Sequence, residues 1–277
     1  MSLFKKVSKK TASSSHSISI KALLVAAALS LPFVSNATVV EVQTNVGNFQ
    51  INLFDETTPG TVENFLSYVN AGAYTNNVVH RSIPAFVVQA GGYQYNNSFP
   101  PDVLATSPAI NNEPELSNLR GTVAMAKLTG NPNSATSQWF VNVVDNTSLD
   151  TNNGGFSVFG QVLGDGMQII DAINQESRFN FGGAFEDFPM RDITADEINS
   201  GTEPDETNLI IITDIVVVDP ATVTNPDLNP APNTLIETRG PDNLVSQDDA
   251  GALGVLLIAS LAGFAIQRRR KASALRA

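Results

Sequence analysis

The 277-residue sequence contains no cysteine and two histidines, His16 and His80. Without cysteine, the chain has no disulfide, no thiol nucleophile and no thiolate metal ligand. His80 is the one imidazole after residue 37, and no carboxylates accompany it at a recognised zinc spacing. A Ser-His-Asp triad would also have to use His80, and the sequence has no Gly-x-Ser-x-Gly segment. Most hydrolase chemistry is therefore excluded, and we expect no metal and no other cofactor.

Basic residues are also scarce, with 16 Lys and Arg against 27 Asp and Glu. Ten of the 16 lie in residues 1–37 and 268–277, so residues 38–267 carry six basic side chains, all 27 acidic ones and a formal charge of −21. Such a surface repels phosphates and anionic lipid headgroups. We expect no nucleic-acid partner.

The first long apolar run belongs to a targeting pattern. Residues 1–37 combine five lysines, the apolar run Ala22–Val34 and the small residues Ser35-Asn36-Ala37. A basic start, a short apolar centre and small residues before a cut are typical of a secretory signal. We predict a signal peptide cleaved after Ala37, with an uncleaved anchor as the alternative.

The second long apolar run lies near the C-terminus. Residues 250–267 are uncharged and mostly apolar, and the basic tail 268–277 follows them. About 17 residues is the lower limit for spanning a bilayer, and a basic cluster marks its cytoplasmic side. This run predicts a transmembrane helix. It also resembles a bacterial C-terminal sorting signal that is cut off, although the usual Pro-Glu-Pro motif is absent, and a buried soluble helix is the remaining alternative.

Residues 38–219 have the length of one domain. Their apolar patterns predict about eight strands and two helices, Pro59–Ala73 and Gly166–Asn174. This composition favours a mainly β fold, a closed eight-stranded antiparallel barrel capped by two helices. Two polar stretches, 93–119 and 176–207, are predicted as surface excursions. Residues 220–249, rich in Pro, Asn and Asp, are predicted as an extended linker without the apolar content to pack.

Residues 78–92 carry the densest chemical signal. They predict two strands, Val78–Arg81 and Ala85–Gln89, joined by a turn at Ser82–Pro84. A cation (Arg81), an aromatic ring (Phe86) and an amide (Gln89) lie within nine residues of an otherwise apolar hairpin. The alternative for Arg81 is a solvated charge at a strand edge. With six basic residues in the whole body, its position in an apolar hairpin favours a functional role.

Several ordered motifs resemble the cyclophilin family of peptidyl-prolyl cis–trans isomerases, closest to its exported bacterial branch. The motifs extend from residue 79 to residue 162, and the resemblance covers residues 39–218. They read Val79-His-Arg-Ser-Ile-Pro-Ala-Phe-Val-Val-Gln-Ala-Gly-Gly92, Gly121-Thr-Val-Ala-Met-Ala126, Ser134-Ala-Thr-Ser-Gln-Trp-Phe-Val-Asn142, Leu149-Asp150 and Val158-Phe-Gly-Gln-Val162.

The chemistry of prolyl isomerisation suits this set of side chains. Rotation about an X-Pro bond crosses a barrier of about 18–20 kcal/mol because amide resonance is lost. No bond is made or cut, so neither a nucleophile nor a metal is needed. An apolar pocket can hold the proline ring, and a donor can stabilise the lone pair that the prolyl nitrogen regains when the amide twists. Arginine suits this role because it stays charged and presents a rigid fork of donors.

The resemblance implies a role for each site residue. Arg81 is implied as the donor to the twisted amide, Gln89 as a contact to the substrate backbone, and Gln138 as a group that orients Arg81. The remaining implied residues line the proline pocket, the adjacent groove or the rim: Phe86, Val87, Phe140, Leu149, Ala126, Lys127 and Phe156. From the residues alone, Phe86, Phe140 and Leu149 could equally belong to the barrel core and Gln138 to the surface. His80, placed beside the substrate site, is interpreted as a hydrogen-bonded structural histidine.

Four positions depart from the family pattern. Val87 stands where methionine is usual, and Trp139 replaces a phenylalanine. Ser148 replaces an aromatic residue that contributes to cyclosporin binding, which predicts poor inhibition by that peptide. Phe156 takes the place of a histidine or tyrosine at the rim, after an insertion at residues 151–155. These changes affect inhibitor affinity and peptide preference, and they leave the central chemistry in place.

We therefore predict an exported, membrane-tethered, monomeric prolyl isomerase on the periplasmic or cell-surface side. Its partners would be proline-containing peptides and unfolded exported proteins. One alternative is a binding module or chaperone that holds proline-containing segments with little turnover. Another is a purely structural surface protein.

Overall fold

The structure is a computed structural model, and it describes residues 38–220, 225 and 228–236. The predicted signal peptide, the apolar run 250–267 and the basic tail lie outside the described residues. Within the described ranges, no helix is long and apolar enough to cross a bilayer.

The described chain forms thirteen short strands and three α-helices. In chain order they are β1 Val39–Thr44, β2 Phe49–Leu53, α1 Pro59–Asn70, β3 Asn77–Val78, β4 Arg81–Ser82, β5 Val87–Ala90, β6 Tyr93–Gln94, β7 Asp102–Val103, β8 Thr122–Met125, β9 Trp139–Asn142, β10 Val158–Val162, α2 Gly166–Gln175, β11 Ser177–Phe179, β12 Phe188–Met190, α3 Ala195–Asn199 and β13 Ile211–Asp219.

Eleven of these strands form one antiparallel sheet in the order β4-β5-β9-β8-β10-β2-β1-β13-β3-β6-β7. The mainly β prediction is confirmed as a curled sheet with few helices. β3 and β4 lie far apart in this order, yet two residues separate them in the chain. Val79 N donates to Ile210 O at 3.0 Å, and His80 N donates to Gln89 O at 3.2 Å. The stretch 77–82 is therefore bonded to β13 on one side and to β5 on the other.

The alternation of side chains divides the sheet into two faces. In β5 and β9, Val88 and Val141 join the main core, while Val87 and Phe140 join a second apolar cluster on the opposite face. Such alternation follows from the two-residue period of a strand. Helix α1 inserts Phe65, and helix α2 inserts its buried isoleucines, into the main core. The second face thus carries an apolar cluster of its own, separate from the main core.

The helix prediction needs two corrections. Helix α1 ends at Asn70 instead of Ala73, since Gly72 adopts a positive φ of 63° that a continuing helix does not allow. A third helix, α3, follows Thr194, whose side chain and that of Glu197 form a reciprocal capping box. Two helices were predicted from sequence, and this short one was missed because the whole stretch 176–207 was predicted as a surface excursion.

The two predicted excursions are more structured than expected. Residues 93–119 contain β6 and β7, and residues 176–207 contain the β11–β12 hairpin besides α3. Phe185 and Phe188 in the second excursion are buried with Val78 and Tyr93 in a third apolar cluster. The phenylalanines of this acidic stretch therefore pack against residues of β3, β6 and β13 instead of lying on the surface.

Part of the predicted linker also packs on the domain. Ser117 N donates to Ala231 O at 2.9 Å, and Asn233 N donates to Glu115 O at 2.8 Å. Asn233 is buried, although the segment has few apolar residues. This contact contrasts with the expectation that the stretch is too polar to pack, while the limits 220–249 of the linker stay a prediction.

Candidate active site

Strand register brings Arg81, Gln89 and Phe140 side by side. Arg81 in β4 is paired with Gln89 in β5, and Gln89 is paired with Phe140 in β9. Directly paired residues in an antiparallel sheet point to the same face. The three side chains therefore line up across three adjacent strands, although 59 positions separate Arg81 from Phe140.

A chain of side-chain hydrogen bonds orients the guanidinium. Arg81 Nη1 donates to Gln89 Oε1 at 3.3 Å, and Gln89 Nε2 donates to Gln138 Oε1 at 2.8 Å. All three residues are buried, with Arg81 9% exposed. Gln138, which could have been a surface residue from its sequence alone, instead completes the amide chain behind Arg81.

Two glycines make room for this chain. A Cβ at Gly92 would lie 2.6 Å from Gln138 Nε2 and 2.7 Å from its Cδ, so a side chain at residue 92 would displace the amide. Gly91 has a φ of +87°, and a Cβ there would lie 2.4 Å from the carbonyl oxygen of Ser137. The sequence motif contains this Gly-Gly pair but does not indicate a role for it in the site. In the structure the pair leaves room for the approach of Gln138.

The electrostatics of Arg81 come from burial and two carboxylates. Burial lowers the pKa of Arg81, while the negative charges of Asp187 and Glu186 raise it in opposition. These acidic residues belong to the second excursion, which reaches β4 through a hydrogen bond from Ser82 N to Asp187 O at 2.9 Å. Since the ordinary pKa of arginine lies far above neutral pH, the guanidinium of Arg81 stays charged.

The second apolar cluster, here called the pocket cluster, lies beside this cation. It consists of buried side chains against which the half-buried Phe86 packs, namely Phe54, Val87, Leu116, Ala124, Ala126, Phe140, Leu149, Phe156 and Val158. The rings of Phe140 and Phe156 meet edge to face with centroids 5.8 Å apart. Phe140 and Leu149 thus belong to a buried cluster distinct from the main core, and their place in a proline pocket stays a prediction.

Phe86 lies in the turn between β4 and β5 and not in a strand as predicted. The first predicted strand is split into β3 and β4, and the second begins at Val87 because Ala85 takes a positive φ of 51°. The carbonyl of Phe86 accepts from Val143 N at 3.0 Å and from Asn146 Nδ2 at 2.9 Å. These two donors hold the turn against β9, and Asn146 was missed from sequence because it carries no local signal.

Lys127 is buried, with 1% of its surface exposed. Its Nζ donates to Asn153 O at 3.0 Å and to Gly155 O, and it lies 4.6 Å from the centroid of the Phe156 ring. Burial lowers the pKa of Lys127 to about 8. The ammonium group therefore ties the inserted loop 151–155 to the pocket cluster, and its implied place along the groove stays a prediction.

His80 is 1% exposed, and its ring meets that of Tyr93 with centroids 4.8 Å apart. Burial and the charge of Arg81 lower the pKa of His80 to about 3, while hydrogen bonds with the Val78 backbone and the Gln138 side chain oppose this shift. The imidazole is neutral at physiological pH. The ring contacts Gln138, and its interpretation as a structural histidine stays a prediction.

The site thus consists of one oriented, partly desolvated cation beside an apolar, aromatic-lined cluster. Such a constellation is suited to a class of protein that binds an apolar ring and donates a hydrogen bond to a lone pair next to it. The predicted residues Arg81, Gln89, Gln138, Phe86 and Phe140 lie in this one region. The other predicted members, Val87, Ala126, Leu149 and Phe156, lie in the pocket cluster.

Comparison with known proteins assigns the family. Residues 39–198 match the family described as cyclophilin type peptidyl-prolyl cis-trans isomerase/CLD. A peptidyl-prolyl cis-trans isomerase of Acinetobacter baylyi is 42% identical over 149 residues, covering 52% of this chain and 76% of the relative. Peptidyl-prolyl cis-trans isomerase A of Dickeya dadantii is 40% identical over 163 residues, covering 57% and 82%. Peptidyl-prolyl cis-trans isomerase B of Escherichia coli is 38% identical over 166 residues, covering 57% and 97%.

The chain belongs to the cyclophilin-type peptidyl-prolyl cis-trans isomerase family. The family resemblance predicted from sequence is thereby confirmed, and the bacterial relatives agree with it.

Proposed function

We propose that this protein catalyses cis–trans isomerisation of X-Pro bonds in peptides and unfolded proteins. The observation that carries the proposal is the buried Arg81, oriented through Gln89 and Gln138 beside the pocket cluster. The bacterial relatives named as peptidyl-prolyl cis-trans isomerases support the same activity.

The mechanism follows from selective stabilisation of the twisted amide. Phe86, Phe140 and Leu149 hold the proline ring by apolar contact in the planar and the twisted states alike, so they contribute to binding. The guanidinium of Arg81 donates to the prolyl nitrogen once its lone pair is localised, which happens in the transition state. Every 1.4 kcal/mol or so of such selective stabilisation accelerates rotation about tenfold.

The experiment is an NMR exchange assay on a short Ala-Pro peptide, comparing the protein with its Arg81→Ala and Arg81→Lys variants. Removing one preorganised donor should reduce kcat by about 100-fold. Arg81→Lys should recover little, because an ammonium lacks the fork held by Gln89. Arg178→Ala removes an exposed arginine and is the matched control. Equal activity in the protein and Arg81→Ala would refute the mechanism.

The second candidate function is a module that holds proline-containing segments without useful turnover. The pocket cluster alone would serve it, whereas an oriented and partly desolvated cation adds cost without benefit to simple apolar binding. Binding of the Ala-Pro peptide without catalysed exchange would favour this candidate.

We further propose that the protein is exported, monomeric and held at the periplasmic or cell-surface side of the cytoplasmic membrane, where it assists folding of exported proteins. The basic-apolar-small pattern of residues 1–37 and the apolar run 250–267 with its basic tail support this location. Mass spectrometry of both ends of the mature protein tests it. An intact Met1 would exclude the cleaved signal, and a missing basic tail would indicate sorting instead of anchoring.

We also propose that the sheet closes as the predicted eight-stranded barrel. Supporting this, β3 and β4 are two parts of one stretch, bonded to β13 and to β5. Slow amide exchange at both Val79 and His80 would support closure, and rapid exchange at either would contradict it.

A further inference from the structure

Residues 231–236, here called the strap, lie along the loop that precedes β8. Ser117 N donates to Ala231 O at 2.9 Å, Asn233 N donates to Glu115 O at 2.8 Å, and Leu116 forms an antiparallel bridge with Pro232. The strap therefore adds a short paired edge to the domain, well beyond residue 198 where the family match ends.

Asn233 fixes the strap to two separate parts of the domain. Its Nδ2 donates to Pro114 O at 3.0 Å and to Asp150 O at 2.8 Å, while its Oδ1 accepts from Leu235 N at 3.1 Å and Ile236 N at 3.3 Å. The residue is 6% exposed, and its amide nitrogen donates to both carbonyls from this buried position. The amide of Asn233 thus donates two hydrogen bonds and accepts two, as expected of a residue that fixes the positions of the segments it joins.

The groups that the strap contacts belong to the pocket cluster or are close to its members in the chain. Leu116, bridged by the strap, is itself a member of that cluster. Asp150 follows Leu149, whose carbonyl accepts from Phe156 N at 3.0 Å. Ile236 lies close to Gly155, because a Cβ built at Gly155 would be 3.2 Å from Cδ1 of Ile236. Through these contacts the strap lies beside three pocket residues, Leu116, Leu149 and Phe156.

We propose that Asn233 is a positioning residue for substrate binding, which holds Leu149 and Phe156 in place through the carbonyl of Asp150. The functional domain accordingly extends to Ile236. This inference rests on the proposed function in one respect, that the pocket cluster receives the proline ring.

The physical expectation is specific. Asn233→Ala removes the donor to the buried carbonyl of Asp150 and to the carbonyl of the half-buried Pro114, so the turn 147–150 can shift to seek another partner. A displaced Leu149 weakens contact with the proline ring equally in the ground and transition states, which raises KM and leaves kcat unchanged. Loss of Arg81 has the opposite signature, since it acts in the transition state alone.

The test uses the full-length chain and the Ala-Pro peptide, with three variants. Asn233→Ala and Asn233→Asp both lack the Nδ2 donor and should raise KM by about fivefold to tenfold with kcat within about twofold. Thr234→Ala, at the exposed neighbouring position, is the matched control and should change neither constant. A role in stability alone would reduce the active fraction, lowering kcat with KM unchanged. That result would overturn the proposal.

A second measurement separates this inference from the proposed function. The Leu149 methyl resonances of the free protein should move in Asn233→Ala and stay in place in Thr234→Ala. If the protein binds the peptide without catalysing exchange, the dissociation constant replaces KM. A fivefold to tenfold weaker constant together with the shifted Leu149 methyls would then support the inference while the proposed function fails. Unchanged affinity, or unchanged Leu149 resonances, would overturn the inference in either case.

Discussion

Acidification should destabilise the protein through His80, the buried imidazole next to Arg81. Its pKa is lowered from 6.5 to about 3 in the folded chain, first by burial and then by the charge of Arg81. Between these two values the unfolded chain binds a proton that the folded chain excludes. Stability from this group is therefore fully present above about pH 6.5 and is lost as the pH falls toward 3.

The magnitude follows from the two pKa values. One bound proton gives a slope of about 1.4 kcal/mol per pH unit in the free energy of unfolding. Because the slope develops below about pH 6.5, the expected loss between pH 7.5 and pH 5 is about 2 kcal/mol. The sloping part of this window, between about pH 5 and pH 6.5, lies above the ordinary pKa range of carboxylates and below the pKa of Lys127, which is about 8.

Urea unfolding provides the assay, with fluorescence of Trp139 as the signal. Trp139 is the single tryptophan of the sequence and is 2% exposed, so unfolding transfers its indole from the core to water. His80→Gln is the control, since it cannot titrate and should remove the acid slope whatever its own stability. Parallel pH dependences for the protein and His80→Gln over pH 5–7.5 would refute the reasoning.

Two further predictions concern the amide chain and the pocket edge. Gly92→Ala should lower kcat several-fold while the protein stays folded, because the new Cβ meets the flexible end of the Gln138 side chain. Gly91→Ala should instead lower the thermal midpoint, because its Cβ would lie 2.4 Å from the backbone carbonyl oxygen of Ser137. Unchanged kcat in Gly92→Ala would contradict the role of Gln138. Ser148 is exposed and stands in place of the aromatic residue that contributes to cyclosporin binding in the family. Ser148→Trp should therefore strengthen inhibition by cyclosporin. A nanomolar inhibition constant for the unsubstituted protein would contradict this account.

The sequence was sufficient to predict most of the site because strand geometry converts local spacing into position. Arg81 and Gln89 face each other once a hairpin forms, and alternation then separates Val87 from Val88. The bounds of the turn between β4 and β5 were predicted wrongly, since no local rule indicates that Ala85 takes a positive φ. Boundaries depend on such single-residue conformations, whereas the faces of strands depend on a repeated pattern.

Contacts between distant segments were beyond prediction from local pattern. Asp187 and Glu186 reach Arg81 from a stretch that was predicted as a surface excursion, because its acidic composition concealed the buried Phe185 and Phe188. A charge of −21 on the body describes the average surface and not which carboxylate lies near Arg81. The second excursion is therefore part of the electrostatic environment of the site.

The strap shows why composition underestimated packing at the end of the domain. The prediction of an extended linker counted apolar side chains, but Asn233 docks through hydrogen bonds to backbone carbonyls, which a hydrophobic pattern does not register. Docking also changes the reach of a tethered domain. If residues 250–267 anchor the chain as proposed, residues 237–249 span at most about 45 Å, against about 105 Å for a free linker over 220–249. Under that proposal, the docking of Asn233 would limit how far from the membrane the pocket cluster can work, because the chain is held on the domain at residue 233.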